Sequence, residues 1–223
     1  IAADTDGLVW FFRTQPNHLF PVFAPGVRPQ ADGQPLRVYG GDGWYDSGSG
    51  TFVFLNRAAG YARGEICDWN NDGRKDLLVA DGRAWLWLYL NIGTDANPVL
   101  DVGTRVIANG KPIDGTARGS VLVCDWDNDY HDWPPLAANW WMDGGFLFYR
   151  NIGSDSNPVL AAPTWLRSGP GAGSVITYSR PNLGSFVDWD GDGRKDFIGC
   201  QFENSIYFYR NTGSSAPGSE PQL

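Results

Sequence analysis

The stretch Asp68-Trp69-Asn70-Asn71-Asp72-Gly73-Arg74-Lys75-Asp76 recurs almost unchanged as Asp188-Trp189-Asp190-Gly191-Asp192-Gly193-Arg194-Lys195-Asp196. Between them lies a less regular copy, Asp125-Trp126-Asp127-Asn128-Asp129. Each complete copy precedes a short apolar run, residues 77–80 or 197–200, which is typical of a β-strand. No amphipathic helix flanks these acidic loops, so the sequence predicts loops that lead into strands.

The acidic loops have the spacing of a cation site. Oxygen-bearing side chains stand at loop positions 1, 3, 5 and 9, with Gly at position 6. In the first part of an EF-hand loop, alternate side chains at this spacing converge on Ca²⁺ while Gly makes the turn. Carboxylates clustered so densely repel one another without a counter-ion. Two calcium sites are therefore expected, and the alternative is a set of ordinary Asp-Gly turns.

The middle loop leaves two interpretations open. After Asp129 it has Tyr130-His131 where the other loops have Gly-Arg-Lys, and Asp132 aligns with Asp76 only after a one-residue deletion. The loop either binds a third calcium or is a plain turn. Its candidate ligands are Asp125, Asp127, Asp129 and Asp132.

The loops belong to a longer repeat. Residues 1–4 match residues 78–81, and Asn91-Ile92-Gly93 recurs as Asn151-Ile152-Gly153 and Asn211-Thr212-Gly213. The loops start at residues 68, 125 and 188, which are 57 and 63 residues apart. Repeats of roughly this length, with about four strands each, are typical of propeller blades. The predicted fold is an all-β propeller of four-stranded blades, with about three and a half blades in the chain.

Each blade is predicted to contain a strand after the acidic loop, an aromatic strand, an Asn-x-Gly turn, a third strand near Pro-Val-Leu and a fourth strand leading into the next Asp-Trp. The aromatic strands are apolar at nearly every position, which favours a core role over a ligand platform. The single segment 1–223 is divided into a partial blade 1–66, blades 67–123 and 124–186, and a partial blade 187–223. Because residue 1 aligns inside a blade, we expect further residues upstream or closure by another chain.

The acidic loop with its following Asn-x-Gly turn resembles the FG-GAP or VCBS-type repeats of bacterial extracellular proteins, over essentially the whole chain. The resemblance implies a β-propeller with calcium in its blade loops, as in the integrin α-subunit head, and an extracellular, cell-surface or periplasmic location. Such propellers serve as lectins, adhesion heads, scaffolds or polysaccharide lyases. The ligands that it implies, with backbone carbonyls from the two arginines, are Asp68, Asn70, Asp72, Arg74, Asp76, Asp188, Asp190, Asp192, Arg194 and Asp196.

The overall composition narrows the classes of partner. The net charge of −8 argues against nucleic acid, because the chain has little with which to neutralise a phosphate backbone. No apolar stretch is long enough to span a membrane. The remaining partners are a glycan or an extracellular protein.

Two insertions interrupt the repeat and are the expected places for a ligand. One lies between Pro35 and Cys67, and the other follows Asp132. Aromatic faces stack on sugar rings while amides and carboxylates bind hydroxyl groups. The alternative is that residues 52–54 form an extra edge strand over packed tryptophans. The candidate ligand-binding residues are Trp44, Tyr45, Asn139, Trp140, Trp141 and Asp143.

Catalytic patterns are few. No Ser-His-Asp or Cys-His arrangement can be assembled, and His131 is a candidate base only if the chain is a polysaccharide lyase. A surface role for His131 is the alternative. Cys67 and Cys124 stand at equivalent apolar positions, which favours free thiols over a disulfide. The sequence therefore favours a calcium-binding recognition or scaffold module over an enzyme.

Overall fold

The computed structural model describes residues 1–16, 19–38, 42–46, 51–56, 60–114, 119–126, 137–138, 145–169, 173–176, 183–200, 205–213 and 222–223. For 42–46, 51–56 and 137–138, and for Leu183 and Cys200, it describes the backbone alone. These residues form small antiparallel sheets and no helix, which confirms the predicted all-β class. The strands are β1 (Ala2–Ala3), β2 (Val9–Trp10), β3 (Thr14–Gln15), β4 (Val22–Phe23), β5 (Gln30–Ala31), β6 (Gln34–Pro35), β7 (Asp42–Asp46), β8 (Thr51–Asn56), β9 (Arg63–Cys67), β10 (Asp76–Ala80), β11 (Leu86–Tyr89), β12 (Thr104–Arg105), β13 (Ile107–Ala108), β14 (Lys111–Pro112), β15 (Ala137–Ala138), β16 (Phe146–Phe148), β17 (Thr164–Trp165), β18 (Arg167–Ser168), β19 (Ser174–Val175), β20 (Leu183–Val187), β21 (Asp196–Cys200) and β22 (Ile206–Tyr209).

Four sheets share one plan, in which the strand after an acidic loop, or its equivalent, pairs with the aromatic strand that follows. The most complete has the order β12-β11-β10-β9. Leu78 lies opposite Leu88 in this sheet, and Ile198 lies opposite Phe208 in the sheet β20-β21-β22. The other two are β1-β2 and β15-β16-β17.

Two details of the predicted blade are wrong. Strand β9, which leads into the Asp-Trp pair, joins β10 instead of the preceding unit, so this sheet crosses the predicted boundary at residue 67. In this sheet the third strand is β12 and does not lie at Pro98-Val99-Leu100, where Leu100 makes isolated bridges, whereas the equivalent Val22–Phe23 of the first unit is strand β4. Proline has no N–H to donate to a ladder, and the side chain of Asn91 takes the N–H of Val99.

Strand β10 contributes to a different core on each face of its sheet. Successive side chains of a strand point to opposite faces. Leu77 and Val9 belong to one apolar cluster, and Leu78 and Tyr149 belong to another. The sheet is covered on both sides, which explains the unbroken apolar run of β10.

A third apolar cluster lies between the sheets β15-β16-β17 and β20-β21-β22. Phe146 and Phe197 are completely buried there, with their ring centroids 4.7 Å apart in an edge-to-face arrangement. The prediction that the aromatic strands are core is confirmed for β11 and β16, whose side chains enter these clusters. In β22 it fails for Ile206, which is 76% exposed, and Phe208, which is 47% exposed.

The segments that precede the acidic loops converge on one cavity of about 370 Å³. Its lining includes Gly64 and Glu65 before the first loop, Val121 and Leu122 before the middle loop, and Gly184 before the last. These positions are equivalent in the repeat. The corresponding ends of three units therefore face a common space.

Leu223 occupies the position that Leu100 and Leu160 have in earlier units. The N–H of Thr212 donates to the Gln222 carbonyl, as the N–H of Ile152 donates to the Val159 carbonyl. All three leucines are buried. The third Asn-x-Gly turn, which the sequence alone leaves unfinished, is thus completed by Gln222 and Leu223.

The first insertion folds as a hairpin. Strand β7 pairs with β8 in a separate two-stranded sheet, with a register shift between Asp42 and Gly43. The strand that the alternative interpretation placed at residues 52–54 is present, whereas the tryptophans expected beneath it, Trp140 and Trp141, lie outside the described residues. Trp44 and Tyr45 lie in β7, opposite Val53 and Phe52.

Candidate metal centres

The first and last acidic loops have the same backbone conformation. Gly73 and Gly193, at position 6, both have φ of +84°. Position 4 is also left-handed, with φ of +52° at Asn71 and +75° at Gly191. Glycine adopts this region without steric cost, and Asn tolerates it better than most residues. The turn predicted at position 6 is therefore present in both loops.

The carboxylate at position 1 closes the loop onto itself. Asp68 accepts the backbone N–H of Asp72 at 3.0 Å with Oδ1 and that of Gly73 at 2.9 Å with Oδ2. Asp188 accepts the equivalent N–H groups of the last loop at 3.1 and 3.0 Å. These bonds hold the chain in a compact turn around the first carboxylate.

The carboxylate at position 9 ties the loop to the Asn-x-Gly turn. Asp76 is fully buried and accepts the N–H of Trp69 at 2.9 Å and that of Asn91 at 2.7 Å. Asn91 in turn accepts the N–H groups of Gly93 and Val99 with its side-chain oxygen. In the last loop Asp196, Trp189 and Asn211 repeat the first two bonds at 3.0 and 2.8 Å. Sequence analysis missed Asn91 and Asn211 as loop partners, although the recurring turn marked both.

Burial raises the pKa of the Asp76 carboxyl above its ordinary value of 3.8. The N–H groups of Asn91 and Trp69 lower it, and the nearby carboxylates Asp72 and Asp68 raise it further. A cation beside these three carboxylates would favour their charged forms.

The carboxylate at position 5 binds arginine. Asp72 forms an ion pair with Arg74, whose Nε also donates to the Asn91 carbonyl at 2.6 Å. Asp192 and Arg194 form the same pair in the last loop. The arginine at position 7, whose carbonyl is an expected ligand, thus also braces the loop through its guanidinium group, a role the sequence did not reveal.

Position 3 offers an oxygen in both loops. The Oδ1 atom of Asn70 is buried and has no hydrogen-bond partner among the described residues. In the last loop Asp188, Asp190 and Asp196 each bring a carboxylate oxygen within 4.8 Å of the others. The orphaned buried oxygen of the first loop and the three convergent carboxylates of the last loop are all oxygen donors, the ligand type that Ca²⁺ takes. The residues present therefore fit this ion.

A second arginine distinguishes the last loop. Arg210 Nε lies 2.7 Å from Asp190 Oδ2, and its Nη2 lies 3.6 Å from Asp192 Oδ2. The equivalent residue after the first acidic loop is Leu90. Sequence analysis missed Arg210 because nothing in the loop spacing points to a residue 20 positions beyond Asp190.

Several predicted site residues lie outside the part of the chain that the structure describes. Asp125 is described and is partly exposed, and the neighbouring Trp126 is buried in the third cluster. The backbones of Trp44 and Tyr45 are described and their side chains are not. The predictions outside the described residues concern Asp127, Asp129, His131, Asp132, Asn139, Trp140, Trp141 and Asp143.

The two cysteines that precede acidic loops, Cys67 and Cys124, are not joined in a disulfide, in line with the prediction. They belong to different apolar clusters. Within the described ranges no helix has the length and apolar character needed to cross a membrane. Comparison with family models, with curated proteins and with solved structures gave no match.

Proposed function

We propose that the chain is an extracellular or cell-surface calcium-binding module of the propeller type that recognises a glycan or a protein. The observation that carries the calcium assignment is the convergence of Asp188, Asp190 and Asp196 within 4.8 Å. The orphaned oxygen of Asn70 supports a second site in the first loop. Calcium would be held by oxygens at positions 1, 3, 5, 7 and 9 of each loop.

A propeller arrangement has two lines of support. The sheet β9-β10-β11-β12 has a core on each face, as a blade between two other blades requires. Equivalent ends of three units line one cavity, as inner strands around a propeller axis do. The resemblance of the loops to FG-GAP or VCBS-type repeats agrees with this architecture.

We assign calcium in these loops a structural role. Each loop joins the end of one strand to the start of the next, since Asp76 lies in β10 and Asp68 directly follows β9. A cation shared by these residues fixes two neighbouring strands. Recognition is assigned instead to the inserted hairpin β7–β8, because it pairs outside the four repeated sheets.

Thermal unfolding in calcium and in chelator tests the metal assignment. A site filled at a hundredfold excess over its Kd adds about 2.7 kcal/mol to the free energy of unfolding. We expect calcium to raise the Tm more than magnesium does. Ca²⁺ is the larger ion and tolerates an irregular set of oxygen ligands, whereas Mg²⁺ requires near-octahedral geometry. An identical Tm in calcium and in chelator would remove the assignment.

A glycan array probed in calcium and in chelator tests recognition. The protein is compared with a variant in which Trp44 and Tyr45 are both alanine. Calcium-dependent binding that this variant loses supports the hairpin as the glycan site. Binding that the variant keeps places recognition elsewhere, and an array without any signal contradicts the glycan assignment.

A further inference from the structure

The sheet β20-β21-β22 and its loop expose several side chains whose counterparts in the sheet β12-β11-β10-β9 and its loop pack on a core. Five side chains of the earlier sheet and its loop pack on the following core, namely Cys67, Trp69, Leu78, Leu86 and Leu88. The equivalent residues of the last sheet and its loop lie 120 positions further along the chain, the offset between Asp68 and Asp188. They are Val187, Trp189, Ile198, Ile206 and Phe208. Trp189 is 67% exposed, and Ile206 is 76% exposed where Leu86 is 2% exposed. We call Val187, Trp189, Ile198, Ile206 and Phe208 the tail face.

The first unit exposes the opposite half of the same contact. In the second unit Trp87, Tyr89 and Leu100 contact the core shared with the preceding unit. In the third unit the equivalent residues, Leu147, Tyr149 and Leu160, do so as well. The equivalent residues of the first unit are Trp10, Phe12 and Phe23, which we call the head face. Phe12 is 36% exposed and Phe23 is 56% exposed.

The chain therefore presents both halves of an interface that it forms internally between successive units. We propose that the tail face of one copy binds the head face of a second copy. The contact is heterologous, so it closes into a ring or continues as an open chain according to the rotation between copies. A second copy is the expected partner because the chain already forms this contact internally. Leu86 and Leu88 belong to the same apolar cluster as the residues of the third unit that stand at the head-face positions, namely Leu147, Tyr149 and Leu160. This inference does not depend on calcium.

Sedimentation analysis of two complementary variants tests the proposal. Ile206→Asp places a charge in the tail face and Phe23→Asp places one in the head face. Ile152→Asp is the matched control, because Ile152 is 58% exposed and belongs to neither face. We expect the natural chain and the control to associate with increasing concentration, and each face variant to sediment as a monomer of 24.5 kDa.

A mixture of the two face variants decides whether the contact is head to tail. In this mixture the Phe23→Asp variant keeps its tail face and the Ile206→Asp variant keeps its head face. These two faces can form one contact, so the mixture should form a dimer and nothing larger. Circular dichroism verifies that each variant is folded. A natural chain that stays monomeric at high concentration overturns the proposal, and so does association that survives in either face variant. A mixture that stays monomeric overturns it too.

Discussion

Asp76 and Asn91 are joined by a hydrogen bond of 2.7 Å from the backbone N–H of Asn91 to Oδ1 of the buried Asp76 carboxylate. The bond connects the end of an acidic loop to a turn 15 residues further along the chain. Asp196 and Asn211 form the same bond at 2.8 Å. The position-9 carboxylate therefore holds two segments of each unit together through direct protein contacts.

Positions 3 and 9 of the loop should respond differently to chelator. Asp76→Asn replaces one acceptor oxygen by an NH₂ group, so a buried backbone N–H loses its partner at a cost of about 1–3 kcal/mol. This loss is expected with or without calcium. Asn70→Ala removes an oxygen that has no partner among the described residues, so its cost should appear only in calcium. Urea unfolding in calcium and in chelator measures both, and equal losses for Asn70→Ala in the two conditions would exclude Asn70 as a ligand.

Arg210 should weaken calcium binding in the last loop. Its guanidinium group lies beside Asp190 and competes with a cation for that carboxylate. An exposed ion pair contributes about 0.2–1 kcal/mol, so Arg210→Leu should tighten calcium binding about 1.4- to fivefold. Leu90→Arg is the matched change in the first loop and should weaken that site. Calcium titration by calorimetry measures both, and unchanged affinity in both variants contradicts the competition.

Asp81 should stabilise the fold through three hydrogen bonds. It is fully buried and accepts the N–H groups of Arg83 and Trp85 and the indole N–H of Trp87, at 2.9, 3.0 and 3.0 Å. Asp81→Asn turns an NH₂ group toward the indole and should cost about 1–3 kcal/mol. The control is Asp4→Asn, because Asp4 uses one oxygen for the equivalent backbone bonds. Equal unfolding free energies for the two variants would contradict this role.

The stability of the chain should depend on the charge of Glu65. Burial raises the pKa of this carboxyl above its ordinary value of 4.5. The native state then binds the proton more tightly than the unfolded state, so stability falls as the pH rises from about 4.5 through the raised pKa. Glu65→Gln should flatten this fall and leave stability at lower pH unchanged. Urea unfolding across the pH range is the measurement, with the exposed Asp6→Asn as control, and an unaltered pH profile would show that Glu65 does not contribute.

The regular parts of the loops were predictable from the sequence because they depend on local spacing. Alternate oxygens and a glycine at position 6 specify a turn around a carboxylate, and the structure has that turn at Gly73 and Gly193. The side-chain bonds of Arg74 and Asn91 were not predictable, since spacing does not state which donors a carboxylate will meet. The pairing of β9 with β10 was also missed, because a strand that precedes a loop can pair with either neighbouring sheet.

The exposure of Ile206 and Phe208 could not be read from local pattern either. Their sequence matches that of strands that are buried in the earlier units. Whether such a strand is buried depends on whether another sheet covers its outer face. That contact is long-range in the sequence, so the local pattern does not reveal it.

Calorimetric titration of the metal-free chain with calcium tests the central claim most directly. The account predicts at least two sites per chain, one fewer after Asp68→Ala, and one fewer again when Asp188→Ala is added. Asp101→Ala, a change in an exposed carboxylate outside the loops, should leave the number of sites unchanged. No heat of binding, or a stoichiometry that neither loop variant alters, would contradict the assignment of calcium to these loops.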